Sequence, residues 1–283
     1  MNSGEYWFTS RDGVRLFSRV YAGPQHGAPT VLCLHGLLRN SRDFEDLAPH
    51  LAERYRVIVP DVRGRGFSAR DPDPTHYQIP VYLQDLEPLL GALGVERTAV
   101  IGTSMGGLMA MVLAASRPGL VTRIVLNDVG PEVDPAGLER IRGYAGRAPT
   151  AGSWSDAAAQ LRATFGAAWP DLEPARWERL ARRSYRENES GMIVPDADPG
   201  IGDVVRSSPS AAPDLWPLWK ALTGTPVLAL RGAHSDILSE ATLARMQRDK
   251  PELKAVTVPQ RGHAPLLDEP ECLGAIDDFL AAA

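Results

Sequence analysis

A glycine-bracketed serine, Gly102-Thr103-Ser104-Met105-Gly106-Gly107, lies between an apolar strand-like run, Thr98 to Ile101, and an apolar helix-like run, Leu108 to Ala115. That junction restricts the fold more than any other part of the chain. A serine at a strand-to-helix turn, with glycine two positions before and two after, has the form of a nucleophile elbow. The turn crowds the backbone, so a side chain at either glycine would strike the neighbouring strand or helix. It would also lift the Ser104 hydroxyl above the sheet. Met105 opens the helix, so its N–H lacks an intrahelical partner and can bind an anion.

A reactive serine needs a base to take its proton and a carboxylate to orient that base, in the chain order serine, acid, histidine. Of the six histidines, His263 is the candidate base. It sits in Gln260-Arg261-Gly262-His263-Ala264-Pro265, where Gly262 and Pro265 mark a tight loop after the strand-like Lys254 to Val258. The reaction needs its neutral form, so activity should fall in acid. Two aspartates could orient it. Asp236 is preferred, because it follows the strand Pro226 to Arg231, one strand before the histidine loop. Asp128, in Leu126-Asn127-Asp128-Val129-Gly130-Pro131, ends an earlier strand and is the alternative. Aspartate before Gly-Pro is also a common turn residue. A second oxyanion donor is expected from His35-Gly36-Leu37-Leu38, which follows the strand Thr30 to Leu34. Gly36 would let the Leu37 N–H point at the same spot as that of Met105. His35, Leu38 and Arg39 are candidate substrate contacts, although hydrogen bonding within the loop is the plainer role for His35.

Together these residues resemble the α/β-hydrolase superfamily over nearly the whole chain. His35-Gly36 matches its oxyanion loop, Gly102 to Gly106 its elbow, Asp236 its usual acid position and Gly262-His263 its histidine loop. Asp61-Val62-Arg63-Gly64-Arg65-Gly66-Phe67-Ser68 looks like a structural turn that many members carry. The resemblance implies a serine hydrolase acting on a small ester or lactone through an acyl-enzyme, with no metal or organic cofactor. The same superfamily implies carbon–carbon bond hydrolases and cofactor-free perhydrolases or lyases. Members that only bind small ligands also exist. Dehalogenases and epoxide hydrolases carry aspartate where Ser104 stands, and carbon–carbon hydrolases often have asparagine in place of Thr103.

Composition narrows the partners. The chain has 283 residues, enough for one large core with an insertion, and a mild net charge of −5 with no basic stripe. Nucleic acid is therefore not an expected partner. The expected partner is a small apolar or mixed ester or lactone, and the expected assembly a monomer or homodimer. Cys33 and Cys272 lie far apart in apolar surroundings and suggest neither a disulfide framework nor a metal site. No basic segment followed by an apolar stretch opens the sequence, and no run reaches membrane-span length. A soluble, cytoplasmic protein is the expectation.

Eight strands alternating with helices predict a mostly parallel sheet covered on both faces. Helices are expected over Ser41–Glu53, Val81–Leu93, Met105–Arg117, Ser239–Asp249 and Glu269–Ala281. Residues 131–217 break the alternation: they show helical patterns, notably Trp154–Trp169 and Pro174–Glu187, and no convincing strand. Five of the six tryptophans fall between Trp154 and Trp219. The reading is a helical cap, 131–217, inserted in a core made of 1–130 and 218–283, with cap tryptophans such as Trp154 near the substrate.

Overall fold

The computed structural model describes residues 3–208 and 213–282. In chain order the elements begin with β1 (Gly4–Thr9), β2 (Arg15–Tyr21), β3 (Thr30–Leu34), α1 (Leu47–Leu51), β4 (Arg56–Asp61), α2 (Ile79–Ala92), β5 (Thr98–Thr103), α3 (Met105–Ser116) and β6 (Val121–Asn127). The intervening segment holds α4 (Pro135–Tyr144), α5 (Trp154–Phe165), α6 (Pro174–Ser184), β7 (Tyr185–Glu187), β8 (Ile193–Pro195) and α7 (Gly200–Ser207). The chain then forms α8 (Trp216–Ala221), β9 (Val227–Gly232), α9 (Glu240–Asp249), β10 (Lys254–Val258) and α10 (Pro270–Ala281).

The main sheet has eight strands in the order β1-β2-β4-β3-β5-β6-β9-β10. Only the β1–β2 and β2–β4 pairs are antiparallel, and the other pairs run parallel. Strands buried on both faces read as unbroken apolar runs, and successive residues serve opposite faces. Val31, Val57, Ile101 and Val125 thus pack on one side with α1 and α10, through Leu47, Leu51, Ile276 and Phe279. Their neighbours Leu32, Ile58, Val100 and Leu126 pack on the other with α2, α3, α8 and α9. Because the central strands are parallel, their C-terminal ends share one edge, and Leu34, Thr103 and Asn127 all end there. Cys33 and Cys272 are buried and free, and burial pushes both thiols up.

Three details differ from the sequence reading. The helix expected over Ser41–Glu53 is a 3-10 turn at Ser41–Phe44 followed by α1. Pro49 favours this, since proline fits best in a helix's first turn, where a helix starting at Leu47 places it. The pattern from Pro174 stops being helical at Ser184, and β7 pairs with β8 as an antiparallel hairpin inside the segment expected to be free of strands. Helix α8 joins the main core through buried Trp216 and Trp219 and spans the expected 217/218 boundary. No helix among the described residues is long and apolar enough to cross a membrane.

The turn after β4 braces the site. The Asp61 carboxylate accepts the N–H groups of Ser41 at 2.6 Å and Phe67 at 2.8 Å. Arg63 is 1% exposed and its guanidinium meets Asp85 at 2.7 and 2.5 Å, Asp12 at 2.9 Å, and Asp71. Arg65 donates to the Leu37 carbonyl at 2.9 Å, tying this turn to the loop after β3.

Candidate active site

Ser104 occupies the junction of β5 and α3 with φ +51° and ψ −115°. A non-glycine residue at positive φ is strained and persists only where its surroundings hold it. Here the Ser104 N–H donates to the Asn127 carbonyl at 3.0 Å, and the Ser104 carbonyl accepts from Gly107 at 2.9 Å and Leu108 at 3.1 Å. The bracketing glycines are required for space. A Cβ on Gly102 would lie 2.3 Å from the Gly106 carbonyl oxygen, and one on Gly106 2.0 Å from that of Leu34.

Ser104 Oγ lies 2.9 Å from Nε2 of His263, and Nδ1 of His263 lies 2.8 Å from the Asp128 carboxylate. A carboxylate only accepts, so Nδ1 carries the proton and Nε2 presents its lone pair to the serine hydroxyl. The imidazole side chain is 8% exposed and the Asp128 side chain fully buried. Three donors offset the buried charge of Asp128. Gly232 N–H reaches Oδ1 at 2.8 Å, while Ser235 Oγ–H at 2.6 Å and His263 Nδ1–H reach Oδ2.

The expectation that Asp236 orients the histidine is therefore corrected: Asp128 stands at Nδ1. Asp236 faces Arg140 on α4, whose Nη2 donates to Oδ1 at 2.8 Å and whose Nε donates to Oδ2. Arg140 is thus the largest hydrogen-bonding influence holding Asp236 below the usual carboxylate range, against the opposing effect of burial. The loop after β9 still serves the site, through Ser235 one residue earlier. Ser235 Oγ also accepts the N–H groups of Ile237 at 3.1 Å and Leu238 at 3.0 Å, which aims its own proton at Asp128.

Of the two expected oxyanion donors, Met105 follows Ser104 directly and Leu37 lines the same cavity as Ser104. The turn after β3 closes with Arg39 N–H on the Gly36 carbonyl at 3.1 Å, leaving the N–H groups of its central residues, Leu37 and Leu38, outside that bond. The Met105 N–H is the first of α3 and has no partner within the helix. His35 is fully buried. Its Nε2 accepts the Val62 N–H at 3.0 Å, so Nδ1 donates to the Gly36 carbonyl at 2.8 Å. Burial pushes its pKa down to about 4, which keeps it neutral. His35 shapes the loop and is removed from the candidate substrate contacts.

A cavity of about 100 Å³ opens at Ser104 and His263, lined also by Leu38, Arg39, Tyr144 and Trp169. Trp154, another candidate contact, does not line it. It packs in the apolar cluster of the insert under the guanidinium of Arg182, 4.6 Å from the ring centroid. Trp169 takes that place, and its Nε1–H donates to the Ala264 carbonyl at 2.8 Å. The Gly262 N–H donates to the Ala168 carbonyl at 2.7 Å, so the insert clamps the histidine loop on both sides of His263. Sequence reasoning also missed Asn127, whose Nδ2 bonds Thr103 Oγ1 and the Pro265 carbonyl, each at 3.0 Å. A polar residue closing the apolar strand Ile124–Leu126 was the available signal.

Comparison with known proteins bears on the family and the fold. A family model described as the alpha/beta hydrolase fold matches residues 29–270. A 3-hydroxybutyrate-oligomer hydrolase of Cupriavidus necator is 36% identical, the match covering 90% of this chain and 89% of that protein. A 2-(acetamidomethylene)succinate hydrolase of Mesorhizobium japonicum is 30% identical over 90% of this chain and 88% of its own length. The crystal structure of an alpha/beta hydrolase from Novosphingobium aromaticivorans superposes with a TM-score of 0.94 at 48% identity, covering 99% of both chains. With a mostly parallel sheet, a strained serine at its β5–α3 turn and a sequence match across most of its length, the chain belongs to the α/β-hydrolase fold family, among relatives of matching length that are hydrolases.

Proposed function

We propose that the chain hydrolyses a small carboxylic ester through a covalent acyl-enzyme formed on Ser104. The observation that carries this reading is the continuous relay from Ser104 Oγ through His263 to the buried carboxylate of Asp128. Ser104 Oγ attacks the ester carbonyl carbon while His263 Nε2 takes its proton. The N–H groups of Met105 and Leu37 hold the oxyanion, a contribution of ~2.7–4 kcal/mol per donor in enzymes of this type. Asp128 fixes the tautomer and stabilises the imidazolium. His263 then passes the proton to the leaving alkoxide as the tetrahedral intermediate collapses. Water enters, gives a proton to the same nitrogen and attacks the acyl carbon, and the acid leaves as Ser104 regains its proton.

The likeness to a 3-hydroxybutyrate-oligomer hydrolase makes short oligoesters of 3-hydroxybutyrate the first substrates to assay, beside lactones and p-nitrophenyl esters. The insert over residues 131–217 serves in this reading as a cap that shapes the acyl site. The test is a substrate panel with wild type and Ser104→Ala. Loss of the nucleophile in such a relay can lower turnover about a million-fold, so the variant should be inert with its fold intact. Retention of a tenth of the activity would overturn the proposal.

A further inference from the structure

Beside the small cavity at Ser104 lies a second one of about 600 Å³. The two share Leu38, Arg39, Tyr144 and Phe165 in their walls, so they adjoin at these four residues. Its walls are unevenly charged. Four arginines line it, Arg39, Arg70, Arg147 and Arg186, against one carboxylate, Asp198. That carboxylate is already engaged, accepting the Tyr77 hydroxyl at 2.8 Å and the Gly200 N–H at 2.9 Å.

The four arginines are not equivalent. Arg39 is engaged with Asp43 through Nε and Nη2, and its Nη1 donates to Ser184 Oγ at 2.8 Å. Arg186 lies 3.3 Å from Asp196, which Arg42 also contacts. Arg70 acts on Asp196 only through space. Arg147 spends one N–H on the Gly143 carbonyl at 3.4 Å and meets no carboxylate among the described residues. Arg70 and Arg147, both exposed residues of this wall, thus have no direct acidic partner among the described residues. Aliphatic Leu161, Pro149 and Val194 line it as well, beside polar Gln160, Thr164 and Asn188. A cavity of this size with a few convergent polar groups is the usual form of a small-ligand site.

We infer that the preferred ester carries a free carboxylate several bonds from the scissile carbonyl, and that this carboxylate sits in the larger chamber against Arg147 and Arg70. The inference rests on the ester-hydrolase reading above and adds the charge of the substrate and the residues that select it. Guanidinium groups suit this task because their forked N–H donors match the two carboxylate oxygens.

The test uses the linear dimer of 3-hydroxybutyrate and the same dimer with its terminal carboxylate converted to a primary carboxamide. Release of the hydroxyacyl unit is followed by chromatography. For wild type the kcat/KM ratio, acid over amide, should be about tenfold or more and should fall as salt screens the charges. In Arg70→Ala/Arg147→Ala the ratio should drop toward one, mainly through KM for the acid. A wild-type ratio under threefold, or a larger one that the double substitution leaves in place, overturns the inference. The salt series on wild type gives a reading that does not depend on the variant folding, and a ratio indifferent to salt counts against it. Hydrolysis of both dimers at equal rates by a Ser104-dependent reaction would sink this inference alone. Absence of any Ser104-dependent ester hydrolysis would sink the reading beneath it.

Discussion

Replacing Asp128 by asparagine separates the two carboxylates that compete for the role of orienting His263. The Asp128 side chain accepts from Gly232 N–H on one oxygen and from Ser235 Oγ–H and His263 Nδ1–H on the other. Asparagine supplies one acceptor oxygen and one NH₂ group. With its oxygen kept toward Gly232, the NH₂ faces Nδ1, which must then present a lone pair. The imidazole proton moves to Nε2 and points at Ser104, so the ring can no longer take the serine proton. In a serine relay this wrong tautomer costs about 10⁴-fold in turnover, equivalent to about 5.5 kcal/mol of transition-state stabilisation. Asp236→Asn breaks only a half-exposed ion pair with Arg140, where about 1 kcal/mol of stability is at stake. Initial rates with p-nitrophenyl acetate, read beside circular dichroism of both variants, measure the difference. A loss of several thousand-fold in Asp128→Asn with a change of a few-fold in Asp236→Asn is expected. The opposite order in folded proteins would refute the assignment of Asp128.

Arg63→Ala should be among the most damaging substitutions away from the serine, because it leaves the buried Asp85 without its cation and takes one from the buried Asp71. Breaking a buried ion pair in this way costs about 3–5 kcal/mol, to be read from urea unfolding. The buried His35 makes stability fall in acid. Its pKa is about 4 in the fold against an ordinary value of 6.5, so the unfolded chain binds its proton first as pH drops. Its contribution is fully present above pH 6.5, declines from there to pH 4, and amounts to roughly 3 kcal/mol; the pH slope of unfolding should be shallower in His35→Gln. Trp169→Phe removes the donor to the Ala264 carbonyl and should lower kcat/KM about tenfold by loosening the histidine loop, on the scale of one lost buried hydrogen bond. A variant with unchanged kinetics would show that this clamp does not matter to turnover.

Much of the architecture was legible because parallel strands leave long apolar runs punctuated by glycine and proline. The eight strands of the main sheet, and the elbow within it, follow from that pattern and from backbone crowding at Gly102 and Gly106. The β7–β8 hairpin was not legible, since Tyr185–Glu187 continues the amphipathic pattern of α6 and each strand has only three residues. A turn signal was present: Asn188 caps the N–H groups of Ser190 and Met192, and Gly191 sits at φ +77°. The choice between Asp128 and Asp236 was beyond chain order, because both lie between Ser104 and His263. It is made by Ser235, which bonds Asp128, and by Arg140, which holds Asp236 from a helix of the insert. Spacing along the chain does not say which way a loop side chain turns, nor which distant cation it will meet. The same limit applied to Trp154 and Trp169, which share one insert yet only the latter reaches the cavity at Ser104.

Covalent trapping bears most directly on whether Ser104 is the nucleophile. Wild-type protein is incubated with a fluorophosphonate, digested, and the modified peptide located by mass spectrometry. The account predicts a single adduct on Ser104, slowed by His263→Ala and absent from Ser104→Ala. An unmodified Ser104 in folded, wild-type protein, or labelling that persists in Ser104→Ala at the same rate, would contradict it.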